Sequence, residues 1–299
     1  MSTVAVLGAG QLGGALAAAL SRSGRHDVRL WSRSAGPTGG VAPGVRGSRG
    51  EELAEAIAGA DLVVLAVVDG AVSEMAGRLA ALEAAWRGRV ALHCSGALPH
   101  SVLGALAERG AGTAACHPLR AFPRGPARAD AFAGCPFTVD GTAEGEVAAR
   151  ALVRELGGVP LGSRPVDRAG YHLAAALASN YVLALAEWAA GRFREAGLSR
   201  EDAGLAADAL ARNALDNARD AVEPLTGPLR RGDIATVLSH LARLEGAEQR
   251  AYAALGLLLM QRADVGAAEG GPHTALRLAL ESALDAATGA GTRVSTSHR

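Results

Sequence analysis

Val4-Ala5-Val6-Leu7-Gly8-Ala9-Gly10-Gln11-Leu12-Gly13 opens the chain, and the apolar run Ala15 to Leu20 follows it. Val4 to Leu7 has the β-branched and aliphatic composition of a strand buried on both faces. Ala15 to Leu20 continues as an apolar helical pattern. A strand, then G-x-G-x-x-G, then a helix is the order that a dinucleotide pyrophosphate requires. Gly8 permits the tight turn, Gly10 lets the backbone approach the phosphates, and Gly13 lets the helix pack closely on the strand. The first N–H groups and the positive dipole end of the helix then face the anion. Glycine is abundant, 39 in 299 residues, so about 0.65 matches to this spacing arise by chance. The position of this one, directly behind a strand and ahead of a helix, decides for the nucleotide.

A length of 299 residues suits two domains. The 30 basic and 30 acidic residues balance, with no run of like charge, which argues against nucleic acid or an anionic membrane as partner. Every basic residue is an arginine; the chain has no lysine. The N-terminus enters a strand within three residues without a charged leader, so no secretory signal is expected. The cysteines Cys94, Cys116 and Cys135 are odd in number and widely spaced, which points to free thiols in a reducing cytoplasm. Leu173 to Ala190 has the apolar look of a membrane span. Its Ser179, Asn180 and Glu187, and its small residues, suit the central helix of a soluble domain better.

Working outward, His26 to Trp31 reads as a second strand ending in Ser32-Arg33-Ser34, and 34–50 as a Gly/Pro-rich loop closing on Arg46 and Arg49. Short helices are expected at 51–58, 71–86 and 99–109. Strands are expected at 61–68, 89–93 and 112–116, and 137–139, 144–156 and 159–161 complete a strand–helix–strand pattern. Such alternation predicts an α/β fold, a Rossmann-type doubly wound parallel sheet, over residues 1–163. From Pro165 the strand signals stop. Helices at 168–196, 200–221, 233–243, 247–263 and 272–287 predict an all-α second domain over 164–288, with 289–299 a disordered tail.

The end of the second strand offers Trp31, Ser32 and Arg33 where an acid would hold the ribose 2′-hydroxyl of NAD. Arginine and serine instead hydrogen-bond a 2′-phosphate, so the expected cofactor is NADP(H). Its binding residues would be Gly8, Gly10, Gln11, Leu12, Gly13, Ser32 and Arg33, with Ala66 and Val67 at the neighbouring strand exit.

Two further polar clusters sit at strand exits, where open α/β sheets bind ligands: His93-Cys94-Ser95-Gly96 and Cys116-His117-Pro118. Adjacent strand residues point to opposite faces, and no C-x-x-C or H-x-x-x-H spacing occurs, so no metal is expected. Ser95 and Gly96 can offer a hydroxyl and N–H groups to a substrate oxygen, while His93 reads equally as a backbone-bonded core histidine. On the first helix of the second domain, His172, Ser179 and Asn180 fall on one side among alanine, leucine and valine. Buried polar groups need partners, so this face either ties the domains together or lines a cleft.

HCSGALP, ACHPLRAF, YHLAAALASN and LTGPLRRGD…TVLSHL, in that order behind GAGQLG, resemble one family. It is the Rossmann-like oxidoreductases that carry a C-terminal domain of unknown function. The family is similar in layout to the 6-phosphogluconate dehydrogenase, hydroxyisobutyrate dehydrogenase, ketopantoate reductase and pyrroline-5-carboxylate reductase group. That resemblance implies a 6-phosphogluconate-dehydrogenase-like helical domain and hydride transfer at a cleft beside the Rossmann domain. His117-Pro118 also resembles the substrate-proximal His-Pro of prephenate dehydrogenases. Many of the group use a lysine four residues before an asparagine. Asn180 matches the asparagine, but position 176 is alanine.

These readings give an expected NADPH-dependent reductase of a small carbonyl compound, with a 2-oxo acid such as ketopantoate as the candidate substrate. His172 would protonate the alkoxide. Asn180, Ser95, Gly96 and His117 would hold the substrate, and Arg120 or Arg231 its carboxylate. The alternatives are an imine reductase and a non-catalytic NADP(H)-binding sensor. Because Ala251 to Met260 is apolar on nearly every face, a cytoplasmic homodimer built through the helical domain is expected.

Overall fold

The computed structural model describes residues 1–33, 42–82, 86–125, 130–223, 225–262 and 271–288. The proposed tail at 289–299 lies outside them. The chain divides into two compact units, Met1–Leu185 and Ala186–Arg299.

The first unit is an eight-stranded sheet in the order β3-β2-β1-β4-β5-β6-β7-β8. Its strands are β1 (Ser2–Leu7), β2 (His26–Ser32), β3 (Val45–Arg49), β4 (Leu62–Leu65), β5 (Val90–His93), β6 (Gly112–Pro118), β7 (Pro136–Gly141) and β8 (Val159–Pro160). The helices between them are α1 (Gln11–Arg22), α2 (Leu53–Ile57), α3 (Asp69–Leu82), α4 (Gly104–Ala107) and α5 (Ala143–Glu155). Alternate residues of the strands feed two cores. Val4, Val6, Val28, Leu30, Val64 and Leu92 pack with α1 and α5, whereas Ala5, Leu7, Trp31, Val63, Leu65 and Ala91 pack with α2, α3 and α4. Apolar residues on both faces of a strand are what a helix-covered parallel sheet demands.

Two expectations need correction. The sheet is not wholly parallel: β7 runs antiparallel to β6, with His117 opposite Thr138 and Ala115 opposite Asp140. A parallel pairing needs a crossover element, and the described part of the β6–β7 connection contains only turns. The 34–50 stretch also holds the strand β3. Its VRGSR sequence has one apolar residue and lies at the sheet edge, so it lacks the apolar run that marks a buried strand.

Arginines close this unit where helix carbonyls would be orphaned. Arg29 Nη1 donates to the carbonyls of Glu55 and Ala58 at 3.0 and 2.7 Å, and Arg89 Nη2 to that of Ile57 at 2.7 Å. One guanidinium carries five donors and can reach several carbonyls at once.

After β8 comes one long helix, α6 (Arg168–Ala176), a π-helical turn (Leu177–Tyr181) and α7 (Val182–Glu195). The last strand, β8, ends at Pro160, and the first compact unit runs on to Leu185. Polar bonds from α6 to β7, described below, hold it there. Arg168–Glu195 is long and apolar enough to cross a membrane, with a mean hydropathy of 1.3.

The second unit contains α8 (Arg200–Asp220), α9 (Gly227–Arg231), α10 (Ile234–Leu241), α11 (Gly246–Arg262) and α12 (Pro272–Thr288). The short α9 was not expected, because Gly227-Pro228 reads as a break. Here Pro228 occupies the first turn, where its missing N–H costs nothing, and Gly232 at φ 73° ends the helix. Val237, Leu241, Ala253, Met260, Leu276 and Leu280 form the core of this unit.

Candidate active site

The sheet order reverses between β1 and β4, the place where open α/β sheets take ligands. Gly8 leaves β1 at φ 115°, and its N–H donates to the Trp31 carbonyl at 2.8 Å. A Cβ on Gly8 would lie 2.3 Å from the Ala66 oxygen, and one on Gly13 1.8 Å from the Gly8 oxygen. Both positions admit only glycine. Gly10 differs: a Cβ there meets nothing within 4 Å among the described residues. Gly10 caps α1 with no side-chain bond, and the first turn carries no acid, so the helix N-terminus is open to an anion. Ala66 and Val67 lie beside this loop half-buried, and Val68 is 76% exposed.

Ser32 ends β2 and Arg33 follows it, exposed. Arg46 is ion-paired with Asp27 at the start of β2. The β3 residue in register with Ser32 is Arg49.

The exit of β5 is built from side-chain-to-backbone bonds. His93 is fully buried. Its Nε2 bonds the Pro99 carbonyl at 3.1 Å, so Nε2 carries the proton, and its Nδ1 accepts from the Ser95 N–H at 3.2 Å. Burial pushes the His93 pKa down to about 4. Ser95 Oγ accepts from the N–H groups of Ala97 and Leu98 at 3.1 and 3.2 Å. His93 is thus the core histidine of the two readings, and the Ser95 oxygen shapes its own turn.

That turn sets Gly96 against two imidazoles. A Cβ on Gly96 would lie 3.0 Å from His117 Nε2 and 3.0 Å from His172 Nδ1, so the two nitrogens are separated by no more than twice that distance. Their rings are 6.5 Å apart at 68°. His117 Nδ1 is 2.7 Å from the Tyr171 hydroxyl, which is 3.0 Å from Thr138 Oγ1. Burial, then the charges of His172 and Arg168, bring the His117 pKa down to about 4.

Arg168, Tyr171 and His172 lie at i, i+3 and i+4 of α6, on one face. Arg168 is buried, and its Nη2 donates to Asp140 at 3.0 Å. Burial works against the charged form of Asp140, but the bonds from Arg168 and His100 outweigh it and hold the carboxyl below its usual range. Asn180 lies exposed in the π-helical turn. Such turns recur at functional sites, and the extra residue per turn rotates Asn180 back toward the line of His172. Ser179 donates to the Ala175 carbonyl at 2.7 Å.

The structure therefore brings together Gly96, His117 and His172 from the expected set. Arg120 is exposed beyond β6, where its charge reaches the Cys135 thiol. Arg231 ends α9 in the second unit. Sequence reasoning missed Arg168 and Tyr171, although three polar residues at i, i+3 and i+4 on an apolar helix are a legible signal. Burial raises the Cys94 thiol to about 12 and the Cys116 thiol well above its ordinary value, so neither is a thiolate at neutral pH. Among the described residues no group of three histidines, cysteines or carboxylates could hold a metal.

Residues 2–118 match a Rossmann-like domain and residues 135–258 a domain of unknown function, DUF2520. Protein BF3122 of Bacteroides fragilis, provisionally named an NADP oxidoreductase, is 23% identical, with a TM-score of 0.70 over 87% of this chain and 98% of its own. A pyrroline carboxylate reductase of Plasmodium falciparum with NADP bound is 13% identical, with a TM-score of 0.56 over 96% and 98%. A reductive aminase of Aspergillus terreus in complex with NADPH and ethyl-5-oxohexanoate is 20% identical, with a TM-score of 0.56 over 97% and 94%. At these identities the likeness is one of fold. No curated protein matches the chain. The chain is a Rossmann-like domain followed by a DUF2520 domain.

Proposed function

We propose that this protein is an NADPH-dependent reductase of a small carbonyl compound, with a 2-oxo acid such as ketopantoate as the first substrate to try. One observation carries the reading: the open helix N-terminus behind Gly10 and the paired imidazoles at Gly96 belong to exits of the same sheet. The space over Gly10 fits a pyrophosphate, and Ser32 and Arg33 stand where a 2′-phosphate would be held. The structural neighbours that hold NADP or NADPH support the same cofactor.

NADPH, when bound, supplies the hydride. His172 gives a proton to the forming alkoxide, the general-acid role that histidine fills most often. Asn180, Gly96 and His117 orient the substrate oxygen, and Arg120 takes a carboxylate. NADPH oxidation measured with ketopantoate, other 2-oxo acids and cyclic imines tests this. Turnover with an oxo acid supports the proposal, and turnover with imines alone replaces it with C=N reduction. Tight NADPH binding with no turnover replaces it with a non-catalytic sensor.

We also propose that a second copy of this chain covers part of the helical surface, in the cytoplasm. Ala253, Gly256 and Met260 of α11 face the core, while Leu255, Leu258 and Leu259, at i, i+3 and i+4, remain 37%, 47% and 46% exposed. An apolar stripe at helix-packing spacing pairs with itself across a twofold axis. Sedimentation at the 30.1 kDa of one chain at micromolar concentration rules the dimer out.

A further inference from the structure

The atoms around Tyr171 allow their protons to be counted. Thr138 is 4% exposed, and Tyr171 is half-buried between it and His117. Two proton arrangements satisfy the distances. In one, the Thr138 hydroxyl donates to the Tyr171 oxygen and the Tyr171 hydroxyl donates to His117 Nδ1, so both hydroxyl hydrogens have an acceptor; the hydrogen left over is on His117 Nε2, which is not among the buried atoms without a partner. In the other, His117 Nδ1–H donates to Tyr171 and Tyr171 to Thr138. The buried Thr138 hydrogen then has no acceptor among the described residues. Leaving such a donor unmet costs about 1–3 kcal/mol, enough to choose the first arrangement. The tyrosine hydroxyl cannot swing away, because Arg168 one turn earlier is bonded to Asp140. Asp140 and Thr138 are alternate residues on one face of β7.

We propose that Tyr171 is a positioning residue, which locks His117 in the tautomer that carries its proton on Nε2, so that a fixed N–H donor sits at Gly96. The groups facing this ring are His172 and Arg168 from α6, His93 from β5 and Asp69 from α3. The first three disfavour a second proton, and Asp69 favours it. A fixed, uncharged donor takes an acceptor atom, such as a carbonyl or carboxylate oxygen. A protonated imine nitrogen has no lone pair to offer it. This last consequence rests on the reductase reading; the tautomer does not.

Nitrogen-15 NMR of the histidine side chains in the full chain reads the tautomer with no substrate or turnover involved. The expected wild-type spectrum shows His117 with Nε2 protonated, Nδ1 bare, and a second proton bound only near pH 4. Tyr171→Phe is expected to give a ring averaged between both tautomers, with its protonation moved toward the ordinary histidine range. A wild-type ring protonated on Nδ1 overturns the proposal, as does a Tyr171→Phe spectrum identical to wild type. If Tyr171→Phe does not fold, the wild-type spectrum alone still decides the tautomer. Failure here with oxo-acid turnover intact removes the role of Tyr171 and leaves the reductase; the reverse result removes the reductase and leaves the tautomer.

Discussion

Gly10 and Gly96 stand at two exits of one sheet and use the missing side chain in opposite ways. Above Gly10 there is nothing within 4 Å among the described residues, and the main chain and a helix end are left uncovered by them. Above Gly96 two imidazoles fill the space and rest on the backbone. The first exit recognises through its backbone and is indifferent to neighbouring side chains. The second exists to place side chains, and His93 and Ser95 spend their polar atoms on holding it. A glycine in a motif is thus informative only when the occupant of its vacancy is known.

The largest effect expected at the second exit is on turnover. His172→Ala lowers it about 10²–10⁴-fold, the range of a lost general acid, while NADPH affinity stays at the wild-type value. His117→Ala raises the Michaelis constant more than it lowers turnover, as a positioning donor should. Equal losses for both variants, measured by steady-state kinetics and calorimetry, would erase the distinction between the two histidines.

Stability responds next. His93 has a folded pKa of about 4 against about 6.5 unfolded, so the unfolded chain binds its proton first as pH falls. Its contribution is complete above about pH 6.5 and is lost as pH falls toward 4, about 3 kcal/mol in all. His117 adds in the same direction and by less, because it is partly exposed. Urea unfolding across this window should show the loss, and His93→Gln should flatten it. A stability independent of pH above 4 would sink the assignment of a neutral buried His93.

The first exit was readable in the sequence because its signals are local: an apolar run, three glycines at fixed spacing, an apolar helix. The second was half readable. His117 and His172 stood out as polar residues at a strand exit and on an apolar helix. Gly96 as their common support was not legible, since it depends on three segments far apart in the chain. Arg168, whose guanidinium acts on His117, was not legible, because in sequence it looks like a helix-start residue. Edge strand β3 and the antiparallel direction of β7, a strand expected at 137–139, escaped because pairing direction and edge position leave no apolar signature.

The smallest effect belongs to cofactor choice. NADPH should bind about tenfold or more tightly than NADH, and Arg33→Ala should remove most of that difference, through loss of one charge-assisted bond worth about 1.5–3 kcal/mol. Equal affinities in wild type would contradict it. Arg46→Ala should leave the ratio unchanged, because Arg46 is held by Asp27.

The comparison of the two exits is tested most directly by titrating NADPH into Gly10→Ala and Gly96→Ala and unfolding both in urea. Gly10→Ala meets no atom of the described residues, so its unfolding midpoint should equal wild type while NADPH affinity falls at least about tenfold. Gly96→Ala displaces only the far ends of two side chains, so it should bind NADPH as wild type does and lose turnover. Undiminished NADPH binding by Gly10→Ala would contradict the account, because the space above that glycine would then belong to no ligand.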